Sequence, residues 1–262
     1  MAAPVDRTST LFWRLIAGAF VFFLLSPLLL VVLFSFTDRG ISAFPIDGLS
    51  IKWWVAMIEH RQFASALENS LIISGAVALI SATVGTMAAI GLARLPPRQA
   101  NIGIAALCLP LMLPPLVLAV ALLSAYVAAG MKLGLLTVIL AHLLFTQPFV
   151  ILVVYARMVS FDRTVVESAR DLGASPLKAF FTVTLPIIRP TVIGAALIAA
   201  ALSLDDFIIT FFNIGGGNTL PTFVWGFIRT GLRPTVNAIG TTILVMTVGA
   251  TIIALWLTRY RG

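Results

Sequence analysis

The sequence predicts an all-α polytopic membrane protein of six transmembrane helices. Three observations carry this expectation. Apolar residues make up 60% of the 262 residues and charged residues only 10%, whereas a soluble domain carries roughly 25% charge. Mean hydropathy is +1.08. The apolar residues gather into six stretches, each near the roughly 20 residues that a helix needs to cross the hydrocarbon layer. So few charges could not clothe a water-facing surface, and the bilayer must serve as solvent for most of the chain.

The stretches are 15–36, 67–92, 102–128, 135–155, 191–212 and 236–257. The first follows Arg7 and Arg14 and is too long for a signal peptide, with no small-residue cleavage site behind it. It is therefore expected to stay as a helix. The third contains Pro110, Pro114 and Pro115, and the fourth contains His142, Gln147 and Pro148. Such prolines fit bends around a path or kinks in a packed core, since neighbouring helices re-satisfy the freed carbonyls. His142 reads as a helix-to-helix hydrogen-bond donor rather than a ligand. His60 has no metal-ligand partner at useful spacing.

Six spans place both termini on one side. Of the 17 Lys and Arg, eleven fall at the termini and in the gaps 94–101 and 156–190, and six fall in the other gaps. The positive-inside rule puts the richer side, and both termini, in the cytoplasm. The gap 94–101 is a tight turn with Pro96 and Pro97. The outer gap 37–66 carries Lys52, Trp53 and Trp54, which suits the headgroup zone, and the outer gap 213–235 carries Gly215, Gly216 and Gly217. The net charge of +7 does not point to nucleic acid, because the charges sit between long apolar runs. The single cysteine, Cys108, cannot form an internal disulfide and says nothing of redox compartment.

The cytoplasmic gap 156–190 is the most informative segment. Val165, Val166, Ala169 and Leu172 recur at helical spacing among charges, which predicts a short amphipathic helix. Gly173 can end it in a left-handed conformation. Ser175 and Pro176 can start a second short helix as cap and first helical residue. Pro186 and Pro190 then punctuate the start of the fifth span. Two short helices with apolar stripes either dock into a groove on a partner or cover the base of the bundle.

Within this loop, Glu167-Ser168-Ala169, then Gly173, then Val183-x-Leu185-Pro186 resembles the EAA…G…I-LP signature of ABC importer permeases. Ser168 and Val183 are mild departures from it. Lys52-Trp53-Trp54, Ala169 through Ser175, Ser203-Leu-Asp-Asp206 and Pro234 through Asn237 extend the resemblance, nearest to the C-type permease of spermidine/putrescine importers. It implies a single transmembrane permease domain over 1–262 in the bacterial inner membrane, with 156–190 as the coupling loop. Glu167, Ser168, Ala169, Asp171, Leu172, Gly173, Ala174, Leu185 and Pro186 would couple to an ATPase. It further implies a second permease subunit as heterodimer partner, two cytoplasmic ATPase subunits and a periplasmic solute-binding protein. ATP and Mg would be bound by the ATPase and no cofactor by this chain, which has no Gly-x-x-x-x-Gly-Lys-Ser/Thr loop. The chain is expected to be a transport subunit and not an enzyme.

Asp205 and Asp206 lie inside the fifth stretch, with Asp205 roughly 20 Å along a helix that starts at Thr191. Carboxylates at membrane depth normally face protein or a water-filled path. On a continuous helix the two acids diverge by about 100°. One is expected to face the path, and the other to cap a helix, hold a backbone N–H or pair with Arg229 or Arg233. Ser203 is expected to share the environment of Asp205. Ser203, Asp205, Asp206 and Trp53 are the candidate substrate-path residues, and polyamine permeases carry a similar Ser-x-Asp-Asp run. Such permeases tend to carry an Asp where this chain has Pro115, which points to a solute with fewer positive charges or a zwitterion. A spermidine- or putrescine-like cation is the first expectation. An opine-like or amino-acid-derived solute, an ion-coupled secondary transporter and a scaffold without transport are the alternatives.

Overall fold

The computed structural model describes residues 7–230 and 234–259, and its described residues form thirteen α-helices. They are α1 (Arg7–Ser35), α2 (Lys52–Ile58), α3 (Phe63–Ile80), α4 (Thr86–Leu92), α5 (Pro97–Cys108), α6 (Pro115–Ala128) and α7 (Leu135–Val159). Then follow α8 (Thr164–Asp171), α9 (Pro176–Ala179), α10 (Leu185–Asp205), α11 (Ile208–Asn213), α12 (Leu220–Thr230) and α13 (Thr235–Arg259). The all-α expectation holds. Five helical runs are long and apolar enough to span a membrane, and a bent pair makes a sixth.

The prolines decide where runs break. The stretch 102–128 is not one rod: a 3₁₀ turn at Leu109–Met112 leads to Leu113, which is extended, and α5 and α6 meet at 95°. Pro114 forces Leu113 out of the helical region, and Pro115 does the same to Pro114 at ψ 135°. Pro115 then serves as the first residue of α6, where a missing N–H costs nothing. Pro96 and Pro97 act in the same way between α4 and α5. Pro148, by contrast, is buried within α7.

The fifth span corrects the sequence reading at both ends. Pro186 and Pro190 do not interrupt it, because a π turn at Phe180–Thr184 joins α9 to α10 in one helical run, Pro176–Asp205. The wider turn gives the Pro186 ring room against the preceding carbonyls. At the other end the helix does not reach 212. It stops at Asp205, Asp206 is extended at φ −71° and ψ 122°, and α11 begins anew. Two gaps read as loops also carry helices, α2 and α12.

The contacts gather into two units. One takes the chain up to His60 together with Gly226–Thr242. In it, a bridge pairs Thr37 with Leu49. Trp53 Nε1 donates to the Thr37 carbonyl at 2.8 Å, Lys52 pairs with Asp38 at 2.7 Å, and Arg39 pairs with Asp47. The large side chains of α1 stay uncovered by protein, as lipid- or partner-facing residues do.

The other unit takes Arg61–Trp225 and the chain from Ile243 onward. Its core joins α3, α4, α7 and α10 through Ile73, Val77, Val150, Val154 and Ile188, with Ala89, Ala195 and Ala199 between them. Small residues let apolar helices approach closely where no hydrophobic effect drives association. The first π turn of the chain, Ser81–Gly85, lies against α7, where a Cβ on Gly85 would stand 2.8 Å from Val150 Cγ1.

Candidate functional site

The break in the fifth span builds one site. A helix that stops leaves carbonyls behind it and N–H groups ahead of it without partners. Asp206 answers on the far side. Its Oδ2 accepts from the Thr210 backbone N–H at 2.8 Å and from the Thr210 hydroxyl at 3.1 Å. This is the capping role expected for one of the two acids. Arg233, named as a possible partner, lies outside the described residues.

His142 of α7 sits beside this cap. Its Nδ1 is 2.8 Å from Ser203 Oγ on α10 and its Nε2 is 2.9 Å from Thr210 Oγ1 on α11, with Asp206 Oδ2 at 3.3 Å. The imidazole is 1% exposed. A helix-to-helix role for His142 is therefore what the structure shows. Ser203 does not share the setting of Asp205: it is buried and spent on His142. Further contacts fix α11. Asn213 Nδ2 donates to the Ala119 carbonyl of α6 at 3.3 Å, and Thr137 of α7 donates to the Asn213 carbonyl at 2.8 Å.

The Asp205 side chain differs from that of its neighbour in its partners. Among the described residues it has no hydrogen-bond or ion-pair partner, and it stands open on a cavity of about 690 Å³. The bend between α5 and α6 supplies Leu113, Pro115 and Leu118 to that cavity, α7 supplies Phe145, and the break supplies Phe207 and Ile209. Pro115, read from sequence as standing where an acid is expected, faces the same space. Asp206 lines it too, so the cavity offers one unpaired carboxylate beside one held in a cap, on largely apolar walls. His142, Thr210 and Phe145 belong to this site and escaped the sequence reading as a group, because they meet only in three dimensions.

The segment 156–190 forms the second candidate site. α8 ends in a complete Schellman motif. The Ala174 N–H reaches the Ala169 carbonyl at 3.1 Å, the Gly173 N–H reaches the Arg170 carbonyl at 2.9 Å, and Gly173 has φ +86°. Ser175 caps α9, accepting from the Lys178 N–H at 3.3 Å. At the other end of α8, Asp162 accepts from the Thr164 N–H and hydroxyl, which hold its carboxyl below the usual range. Arg163 donates to the Ala93 carbonyl of the opposite turn. Glu167, Ser168, Asp171, Leu172 and Gly173 are exposed, whereas Ala169, Ala174 and Leu185 are half-buried and Pro186 is exposed at the base of α10. Leu172 is 89% and Leu177 is 72% exposed, with nothing among the described residues to cover either. Trp53, the remaining sequence candidate, is held within its own unit by Thr37 and lies 5.3 Å under the Lys52 ammonium.

Residues 81–261 match the family of binding-protein-dependent transport system inner membrane components. The chain belongs to that family. It is 36% identical over 250 residues to the putrescine transport system permease protein PotI of Escherichia coli K12, covering 92% of this chain and 88% of that protein. It is 30% identical over 249 residues to the spermidine/putrescine transport system permease protein PotC of Haemophilus influenzae, covering 92% and 96%. In fold it is similar to a chain of a bacterial ABC transporter involved in import of the acidic polysaccharide alginate. There the TM-score is 0.73 at 17% identity over 97% of this chain and 96% of that one. A chain of the inward-facing MetNI methionine ABC transporter aligns with TM-score 0.63 at 17% identity, over 77% and 96%. This permease is thus a multi-pass subunit of an ABC importer, of a family of transport subunits rather than enzymes.

Proposed function

We propose that this permease moves a small polar cation of the putrescine or spermidine kind, and that Asp205 is the carboxylate its ammonium group meets on the path. The observation that carries this reading is the inequality of the two acids: Asp206 is spent as a cap, and Asp205 stands unpaired on a cavity of about 690 Å³. A carboxylate kept at membrane depth without a protein partner needs a ligand or water to justify its desolvation. The relatives named for putrescine and spermidine transport support the same class.

Under this reading ATP and Mg are bound by a pair of cytoplasmic ATPase subunits, and Glu167 through Pro186 dock onto one of them. Leu172 and Leu177 are the apolar contacts, and Glu167, Ser168, Asp171 and the Schellman turn of Ala169, Gly173 and Ala174 set the surface that is read. Leu185 and Pro186 carry the motion into the fifth span. Both termini lie in the cytoplasm, a second permease subunit completes the path, and a periplasmic binding protein delivers the solute at the outer side, where Trp53 lies. ATP-driven closure then exchanges inward- and outward-open states.

Pro115 favours a second reading within the class. With no acid at that position the cavity addresses one cationic end, which also suits an opine-like or amino-acid-derived solute. The test is binding of a solute panel to the cognate periplasmic protein, followed by uptake into proteoliposomes holding the complete transporter. Polyamine binding with uptake at least tenfold lower in Asp205→Asn is expected. Binding of an amino-acid derivative instead selects the second reading, and full uptake by Asp205→Asn removes Asp205 from the path.

A further inference from the structure

We propose that His142 is a positioning residue which sets how the two adjacent acids are presented to the cavity that both of them line. It pins both ends of the broken fifth span to α7, so that Asp206 stays in its cap and Asp205 is left to the solute. The importance of this for transport rests on the reading of Asp205 as the path carboxylate; the orientation itself does not.

The two acids straddle the end of α10: Asp205 is its last residue, and Asp206 is extended. No helical hydrogen bond fixes the direction of the Asp206 side chain. Rotation about the Asp206 backbone would carry its carboxylate out of the cap and turn the end of α10, and Asp205 with it. What resists that rotation is a network centred on one ring, with each nitrogen assigned to one side of the break. Nδ1 meets Ser203, in the last turn of α10, and Nε2 meets Thr210, in the first turn of α11.

Nδ1 pairs with Ser203 Oγ, Nε2 meets Thr210 Oγ1 and Asp206 Oδ2, and the Thr210 hydroxyl donates to Asp206. One ring thus touches the end of α10, the start of α11 and the acid between them. Water cannot stand in, since His142 is 1%, Ser203 5% and Thr210 1% exposed. The backbone of α7 is secured in turn: Thr146 Oγ1 donates to the His142 carbonyl at 2.9 Å and lies 3.2 Å from Ser81 Oγ of the first π turn. Asp205 takes no part in any of this.

The prediction is about orientation and is read as such. The native cysteine is first removed as Cys108→Ala, and Asp205→Cys then reports access to the cavity in the assembled transporter. The probe is 2-aminoethyl methanethiosulfonate, a small cation that reacts with thiolate. In the presence of His142→Ala the labelling rate per assembled complex is expected to fall more than threefold. His142→Gln keeps a donor near Thr210 and Asp206 and is expected to bring the rate back within threefold of the His142 value. A loss of yield alone would not move a rate normalised to assembled complex. If His142→Ala does not assemble, Ser203→Ala, which cuts the α10 arm alone, is read against the same threshold. A rate within threefold in the alanine variant, or no recovery with Gln, overturns the assignment. The path reading fails separately: it falls if Asp205→Asn transports normally, whatever the labelling rates show.

Discussion

Replacing Gly173 separates backbone strain from bulk at the end of α8. The residue has φ +86°, and no atom lies within 4 Å of where a Cβ would stand. A side chain there meets no clash, so the cost is conformational alone. For an ordinary L-residue the left-handed conformation costs about 1–2 kcal/mol, which lowers the share of loops in the Schellman geometry about 5- to 30-fold. Asn tolerates this region better than Ala, and a β-branched residue tolerates it worst. The expected order of disruption is therefore Val over Ala over Asn, although Asn is larger than Ala. The assay is titration of detergent-solubilised permease with its ATPase subunit. Gly173→Ala should raise the half-saturating concentration by that factor, Gly173→Asn by a few-fold, and Gly173→Val by more, at equal membrane yields. An order that follows side-chain volume, with Asn worse than Ala, would refute the strain argument. Wild-type titration by all three would refute a docking role for the turn.

At the first π turn, Gly85→Leu should lower thermal stability in detergent markedly, since even a Cβ would stand 2.8 Å from Val150 Cγ1, while Gly75→Leu on α3, with nothing within 4 Å, should melt near wild type. The two acids should also part company in stability. Asp206→Ala removes a cap and should cost about 0.5–2 kcal/mol, whereas Asp205→Ala, which breaks no hydrogen bond, should leave the melting midpoint unchanged; equal losses would contradict the division of roles. Asp162 holds the start of α8 with its pKa depressed, so its contribution is full above the ordinary carboxylate value and fades only as pH falls through the lower folded value. Limited proteolysis of the 156–190 loop should therefore be the same at pH 5 and pH 8 in wild type, and faster at both in Asp162→Ala.

Composition made the class of fold legible, because a bilayer admits few alternatives to apolar helices of about 20 residues. The loop 156–190 was legible in more detail. Ser175-Pro176 and Gly173 are residues whose backbone preferences act locally, and each does in the structure what those preferences dictate. The break at Asp206 was hidden because hydropathy registers side chains and not dihedral angles. Ser203 to Thr210 contains no Pro or Gly, and only the capping preference of Asp hinted at a restart. The bend at Leu113 had a visible cause in Pro114 and Pro115, and was masked by the apolar residues on both sides. The partnership of His142 with Ser203 joins residues 61 apart in sequence and leaves no local mark.

The absence of a stop at Pro186 has a mechanical consequence. Pro176–Asp205 is a single run of 30 residues, about 45 Å of helix at its usual rise. The proposed docking surface and the unpaired carboxylate are thus opposite ends of one lever. A push at Pro176 reaches Asp205 without crossing a loop, and a soft joint along the way is the π turn at Phe180–Thr184. A π turn carries one residue more than an α turn needs. Letting that surplus out would twist everything beyond it by about 100° around the helix axis, so the lever is built to turn as well as to push.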